Sequence, residues 1–302
     1  MVNSYKRYMK LYIFLFIVFS FIYVYINRSS YTPIISLLRQ KYALCISGSI
    51  RSLPRSLFLE SVRKLIKILP SCDVFFVLKT EDKKNSKTLM NNSLAIDSLI
   101  HTFKVLNVKF VYIFDRFEDN SIDESRYNSQ LLCINKSFNL ASSHSNYDWY
   151  IRYRPDFILH DPHIDISRIN ENYIYTTRKY DAVASDQVIL FSDKMKKKWW
   201  NKLPLIIQKK KAPSPEYEIF NHINRNILKN GPCFYGGILR NDSLTIKWWD
   251  KPQGMIYKDR IKLSETNQSF MNKKYKIELY EKLEKNKINF KYDSQVNHLE
   301  FM

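Results

Sequence analysis

Short runs of almost uninterrupted apolar residues alternate along this chain with stretches whose apolar positions recur every three or four residues. Tyr42 to Ser47 (YALCIS) is the first run, the mark of a strand buried on both faces, and Gly48 closes it. Pro54 stands where proline best opens a helix. The helix it predicts has an apolar face of Leu57, Val62, Leu65, Ile66 and Leu69, and Pro70 ends it. Cys72 to Leu78 and Lys109 to Phe114 read as two more strands. Between them lie a polar loop, Thr80 to Lys87, and a helical stretch near Leu94 to Leu106. Ser129 to Ser143 has helical spacing at Leu131, Leu132, Ile134, Phe138 and Leu140, and Trp149 to Tyr153 follows as a fourth strand. Strands separated by helices predict βαβ units, hence an α/β fold with a Rossmann-type, mainly parallel sheet flanked by helices.

Beyond Asp156 the pattern loosens. Tyr173 to Thr177, Gln187 to Phe191 and Phe234 to Leu239 predict strands. Asp193 to Trp200 and Pro215 to Asn230 predict helices, with Asp193 and Ser214 as candidate caps. The last fifty residues are basic and polar, with one amphipathic helix expected over Tyr275 to Leu283.

The N-terminus follows a different rule. Leu11 to Asn27 (LYIFLFIVFSFIYVYIN) carries no charge. At ~1.5 Å per residue it reaches ~25 Å, near the lower limit for a membrane-spanning helix. Its end residues Tyr23, Tyr25 and Ile26 are too large for a signal-peptide cleavage site. The expectation is one uncleaved N-terminal transmembrane helix. Lys6, Arg7 and Lys10 lie closer to it than Arg28, Arg39 and Lys41, which predicts a cytosolic N-terminus and an ER- or Golgi-type lumenal remainder. The domains expected are a tail over 1–10, an anchor over 11–27, a stem over 28–41, a folded domain over 42–250 and a basic extension over 251–302. Sequons begin at Asn91, Asn135, Asn241 and Asn267, which suits a lumenal face; in so Asn-rich a chain they also arise by chance.

Composition narrows the function. The 302 residues are 45% apolar, too many for a disordered chain. Five glycines cannot be arranged as G-x-G-x-x-G or as a P-loop, which excludes glycine-loop nucleotide sites. The four cysteines contain no C-x-x-C pair, which excludes a cysteine zinc site. Lys+Arg 48 against Asp+Glu 29 gives a net charge of +19. The basic residues are scattered, and Lys196 to Lys198 and Lys209 to Lys211 read as solvated runs, so no nucleic-acid partner is expected.

In an open parallel sheet, ligands bind beyond the carboxyl ends of the strands. After the first strand stands Ser47-Gly48-Ser49-Ile50-Arg51, where small residues admit a ligand and Arg51 either forks onto a phosphate or is solvated. After the fourth stands Arg152-Tyr153-Arg154-Pro155-Asp156. Asp156 there either holds a hard divalent cation or pairs with an arginine. Asp186 precedes Gln187 at the start of another strand, and Glu216 opens a later helix; either acid suits a base, a metal ligand or a cap.

In order, S-G-x-x-R, D-W-x-I-R-x-R-P-D, D-Q before an apolar run, and P-E-x-x-x-F resemble a family of glycosyltransferases. Its members occur in polysaccharide-biosynthesis clusters, algae and large DNA viruses, with a GT-A-like fold. The resemblance covers Tyr42 to Ile227 and makes the folded region the catalytic domain. It implies a nucleotide-sugar donor and a glycan or glycoprotein acceptor. By it, Ser47, Gly48 and Arg51 contact the donor, and Arg152, Arg154 and Asp156 form the diphosphate and metal region. Asp186 and Gln187 lie near the transferred sugar or the acceptor, with Asp156 and Asp186 as catalytic residues. Arg154 stands where a D-x-D motif has its first acid. The diphosphate is therefore neutralised either by Mn2+ or Mg2+ at Asp156 or by the arginines. His160 and His163 read as ligands or as part of a polar turn.

Overall fold

The structure, a computed structural model, describes residues 40–50, 53, 56–69, 71–80, 92–117, 126–161, 169–176, 187–202, 226–230, 235–240, 245–248, 255–256 and 271–296. The expected membrane segment, Arg51, Asp186, His163, Glu216 and most of the helix expected over 215–230 lie outside these. Among the described residues no helix is long and apolar enough to cross a membrane. Lys41 to Met302 forms one compact unit.

The apolar runs become the centre of an eight-stranded sheet. In chain order its strands are β1 (Tyr42–Ser49), β2 (Cys72–Lys79), β3 (Phe110–Phe117), β4 (Trp149–Tyr153), β6 (Ile174–Thr176), β7 (Val188–Ser192), β8 (Leu228–Asn230) and β12 (Phe290–Val296). Their order across the sheet is β12-β3-β2-β1-β4-β7-β6-β8. All pairs are parallel except β4 with β7 and β7 with β6, so β7 alone is reversed. The mainly parallel α/β sheet is as expected.

Side chains alternate between two cores. One face carries Leu44, Ile46, Phe76, Leu78, Val111, Ile113 and Ile151. It is covered by α1 (Ser56–Ile68), α2 (Ser93–Val105) and α4 (Lys273–Lys285), through residues such as Phe58, Leu99 and Leu283. The other carries Ala43, Cys45, Phe75, Val77, Tyr150 and Ile189 beneath α3 (Arg126–His144), whose Leu131, Ile134 and Phe138 are buried there. Burial on both faces is why these strands read as continuous apolar runs.

Four differences from the sequence expectation have physical causes. Asp193 to Trp200 is not an α-helix but two 3₁₀ turns, Asp193–Lys198 and Trp200–Lys202. The tighter winding delivers Met195, Trp199 and Trp200 together into the α3-side core. Residues 228–230, expected to end a helix, form β8, parallel to β6. His160, expected in a polar turn or as a ligand, lies within strand β5 (Phe157–Asp161). That strand joins β9 (Tyr235–Arg240), β10 (Thr245–Trp248) and β11 (Met255–Ile256) in a second, antiparallel sheet ordered β11-β10-β9-β5.

The C-terminal region is the fourth. Residues 271–296, set apart by sequence as a basic extension, build α4 and β12 and close the edge of the main sheet beside β3. β10 pairs with β11 across residue 250, so no structural boundary falls there. As an edge strand with one side in solvent, FKYDSQV needs no apolar run, and its pattern was invisible.

Candidate active site at the carboxyl edge

β1 has β2 on one side and β4 on the other, so the chain leaves it first toward β2 and β3 and later returns beside it as β4. The strand order therefore reverses between β1 and β4. The crevice beyond the carboxyl ends at such a switch point is where open α/β sheets bind ligands.

Arg152 lies opposite Cys45 of β1 and Ile189 of β7, and it is fully buried on the α3 side. Its Nη1 donates to the Gln187 carbonyl at 3.1 Å and its Nη2 approaches the Ser47 carbonyl at 3.5 Å. The Gln187 carbonyl also accepts the Arg154 backbone N–H at 2.9 Å. One carbonyl thus ties both arginines to the start of β7. Ser47 is buried too, and its hydroxyl has no hydrogen-bond partner among the described residues.

Arg154 and Asp156 form a two-point pair within the turn that follows β4. Nε meets Oδ1 at 2.6 Å and Nη2 donates to Oδ2 at 3.0 Å; the Arg154 side chain is 17% exposed and that of Asp156 8%. Of the two roles open to Asp156, the arginine partnership is present. Gly48 packs closely against Pro155 of the turn after β4. A Cβ on Gly48 would lie 3.1 Å from Pro155 Cδ, and its φ of +147° suits only glycine.

A hydrogen-bonded chain beneath the turn holds its shape. Tyr153 donates its hydroxyl to the Phe157 carbonyl at 2.7 Å. Ser61 of α1 bonds that hydroxyl at 2.7 Å and accepts the Leu159 N–H at 2.7 Å. Burial raises the Tyr153 phenol well above the usual tyrosine range, so it remains protonated. Ser61 carried no signal in the sequence. Lys79 carried a faint one, as the lone cation closing the run CDVFFVLK. Burial pushes the nearby Cys133 thiol up to about 12, although Lys79 and Arg152 both pull it down. Those two cations therefore act on the same α3-side region.

The donor set for a cation is thin. Among the described residues no three His, Cys, Asp or Glu side chains gather, and both Asp156 oxygens face Arg154. The described residues therefore do not fit the expected divalent cation.

The structure brings together Ser47, Gly48, Arg152, Arg154, Asp156 and Gln187. Arg51 and Asp186 adjoin described positions in sequence only.

No protein-family model and no curated protein sequence matches this chain. Solved structures with similarity include the glycosyltransferase GlyE of Streptococcus pneumoniae TIGR4, with 11% identity and a TM-score of 0.39 over 64% of this chain. The chain spans 46% of that protein, less than half its length. A glycosyltransferase involved in glycosylation of the major capsid of PBCV-1 aligns at 6% identity and a TM-score of 0.37, over 63% of this chain and 81% of that one. A Drosophila galactosyltransferase complexed with manganese, UDP-Gal and xylobiose aligns at 11% and 0.32, over 67% and 71%. With every TM-score below 0.5 these likenesses are distant, and the site's own geometry carries the functional reading.

Proposed function

We propose that this chain is a membrane-anchored glycosyltransferase of GT-A-like fold, moving a sugar from a nucleotide-sugar donor to a glycan or glycoconjugate acceptor. One observation carries the reading: a fully buried guanidinium, Arg152, at the point where the strand order reverses. The surrounding sheet face is otherwise apolar, with Cys45, Val77, Tyr150 and Ile189. Burying a charge costs several kcal/mol even when it is hydrogen-bonded, and an apolar side chain would suit this face better. A fixed cation there sets a positive potential at the strand ends, suited to the diphosphate of a nucleotide-sugar.

Arg152 acts from beneath. Arg154, partly exposed, is the group able to touch the diphosphate, joined by Arg51, two residues after β1 in sequence, and by the Ser47 hydroxyl. Asp156 fixes the Arg154 guanidinium by its two-point contact. During transfer the bond between the anomeric carbon and the diphosphate oxygen breaks. The acceptor hydroxyl oxygen bonds to that carbon, and its proton passes to a base. We assign the base to Asp186, one residue before the Gln187 carbonyl that anchors both arginines. Charge grows on the departing diphosphate, so prepositioned cations stabilise the transition state more than the ground state. Neutralisation falls to the arginines, and the response of turnover to Mn2+ is the measurement that separates them from a metal.

The test is calorimetry of the full chain in detergent against a panel of nucleotide-sugars, with donor hydrolysis assayed in parallel. Arg154→Ala should weaken donor binding roughly ten- to a hundredfold, the loss of a charge-assisted hydrogen bond worth about 1.5–3 kcal/mol. Unchanged affinity removes Arg154 from the site. A wild-type chain that binds no nucleotide-sugar and hydrolyses none overturns the enzyme reading.

A further inference from the structure

The sequon Asn135-Lys136-Ser137 lies inside α3, not on a loop. Asn135 is 1% exposed, and its Oδ1 accepts the Trp200 indole N–H at 2.7 Å. Ser137 is fully buried and donates to the Ile134 carbonyl at 2.7 Å. Phe138 follows, its ring 5.5 Å from that of Trp200. This stretch is the contact by which α3 closes the lower core.

Asparagine glycosylation joins the anomeric carbon of a lipid-diphosphate-linked oligosaccharide to the side-chain Nδ2. The amide loses one proton and the lipid diphosphate departs. The product is a bulky, hydrated group that belongs on a surface. The transfer takes place on chain that has not yet folded, when Asn135 is as open as any other residue. Once attached, the glycan would hold α3 off the sheet, because Asn135 is buried in the folded chain and its amide oxygen is held by Trp200.

We infer that the folded region matures on the cytosolic side of its membrane, where no such transfer occurs, contrary to the lumenal placement suggested by the flanking charges. The charge count leaves room for this, with Lys6, Arg7 and Lys10 before the apolar run and Arg28, Arg39 and Lys41 after it. The thiols of Cys45, Cys72 and Cys133 are all free, a state that a reducing compartment preserves. The inference rests on the membrane-anchored half of the proposed function and not on sugar transfer.

The experiment uses the full chain with a C-terminal epitope, expressed in yeast, and intact membrane vesicles prepared from the cells. A second variant, Lys109→Thr, turns the exposed Asn107 into a sequon while breaking only a half-exposed pair with Asp73 at 3.4 Å. Protease added outside the vesicles should digest the epitope, and endoglycosidase should shift neither protein on a gel. An epitope protected until detergent is added overturns the inference. So does an endoglycosidase shift of either protein.

Discussion

Two buried acids stand at the carboxyl edge of the same sheet, and each holds a cation. Asp156 follows β4 and is gripped by Arg154, two residues away in the same turn. Asp115 lies near the carboxyl end of β3 and draws its partners from across the chain. Thr80, 35 residues away, donates to Oδ1, while Tyr292, 177 residues away, donates to Oδ2 at 2.7 Å. Lys276 of α4 adds an ion pair to Oδ2 at 2.6 Å. The first pair sits at the switch point beside the buried Arg152, with the Arg154 side chain partly exposed. The second is enclosed by the C-terminal helix and strand that it anchors to the sheet. Similar chemistry thus presents a cation at the switch point and fastens an edge strand at the other position.

The largest expected effect separates these roles by one substitution made twice. Asp156→Asn should lower turnover about a hundredfold or more, as Arg154 loses the partner that aims it. It should also lower the melting temperature, since breaking a buried pair costs about 3–5 kcal/mol. Asp115→Asn should cost a similar amount in urea denaturation yet leave kcat within about twofold. Equal losses of turnover in both variants would erase the distinction.

Gly48→Ala comes next. The added methyl meets Pro155 at a φ that L residues avoid, which costs about 1–3 kcal/mol. Because Pro155 lies between Arg154 and Asp156, turnover should fall along with stability; a loss of stability alone would make the contact structural only. Ser61→Ala leaves the Leu159 N–H and the Tyr153 hydroxyl short of a partner, for about 1–2 kcal/mol in chemical denaturation.

The smallest effect lies on the helices that carry the Asp115 anchor. Hydrogen bonds from Lys282 and then Ser93 hold the Glu278 carboxyl below its usual range. Its stabilisation is therefore present above the ordinary glutamate range and is lost as pH falls through the lowered folded value. Glu278→Gln should cost about 0.5 kcal/mol or less near neutral pH, as the site is solvent-screened. In urea titrations that difference should shrink as pH falls through the lowered folded value; a difference that does not change with pH assigns the effect to packing.

Much of this was legible in the chain. Tyr42 to Ser47, Cys72 to Leu78 and Trp149 to Tyr153 announced strands buried on both faces, and Arg152 to Asp156 marked the strand end that bears the site. Ser61 was not found, because a single hydroxyl in an apolar context has no periodicity to betray it. The need for a bare backbone at Gly48 was visible, while the neighbour that a Cβ there would meet, Pro155, comes from a different strand end.

By itself the sequence determined the central strands β1 to β4 and the helices packed on them, since burial on one or both faces is written in the period of the apolar residues. It left Asp156 open between a cation and an arginine, and the folded turn supplied the pair with Arg154. Only the tertiary structure decided that β12 closes the sheet, that Asp115 meets Lys276 and Tyr292, and that Asn135 of α3 is sealed against Trp200. Those contacts join residues far apart in the chain, and their partners are chosen by which faces the folded sheet leaves uncovered.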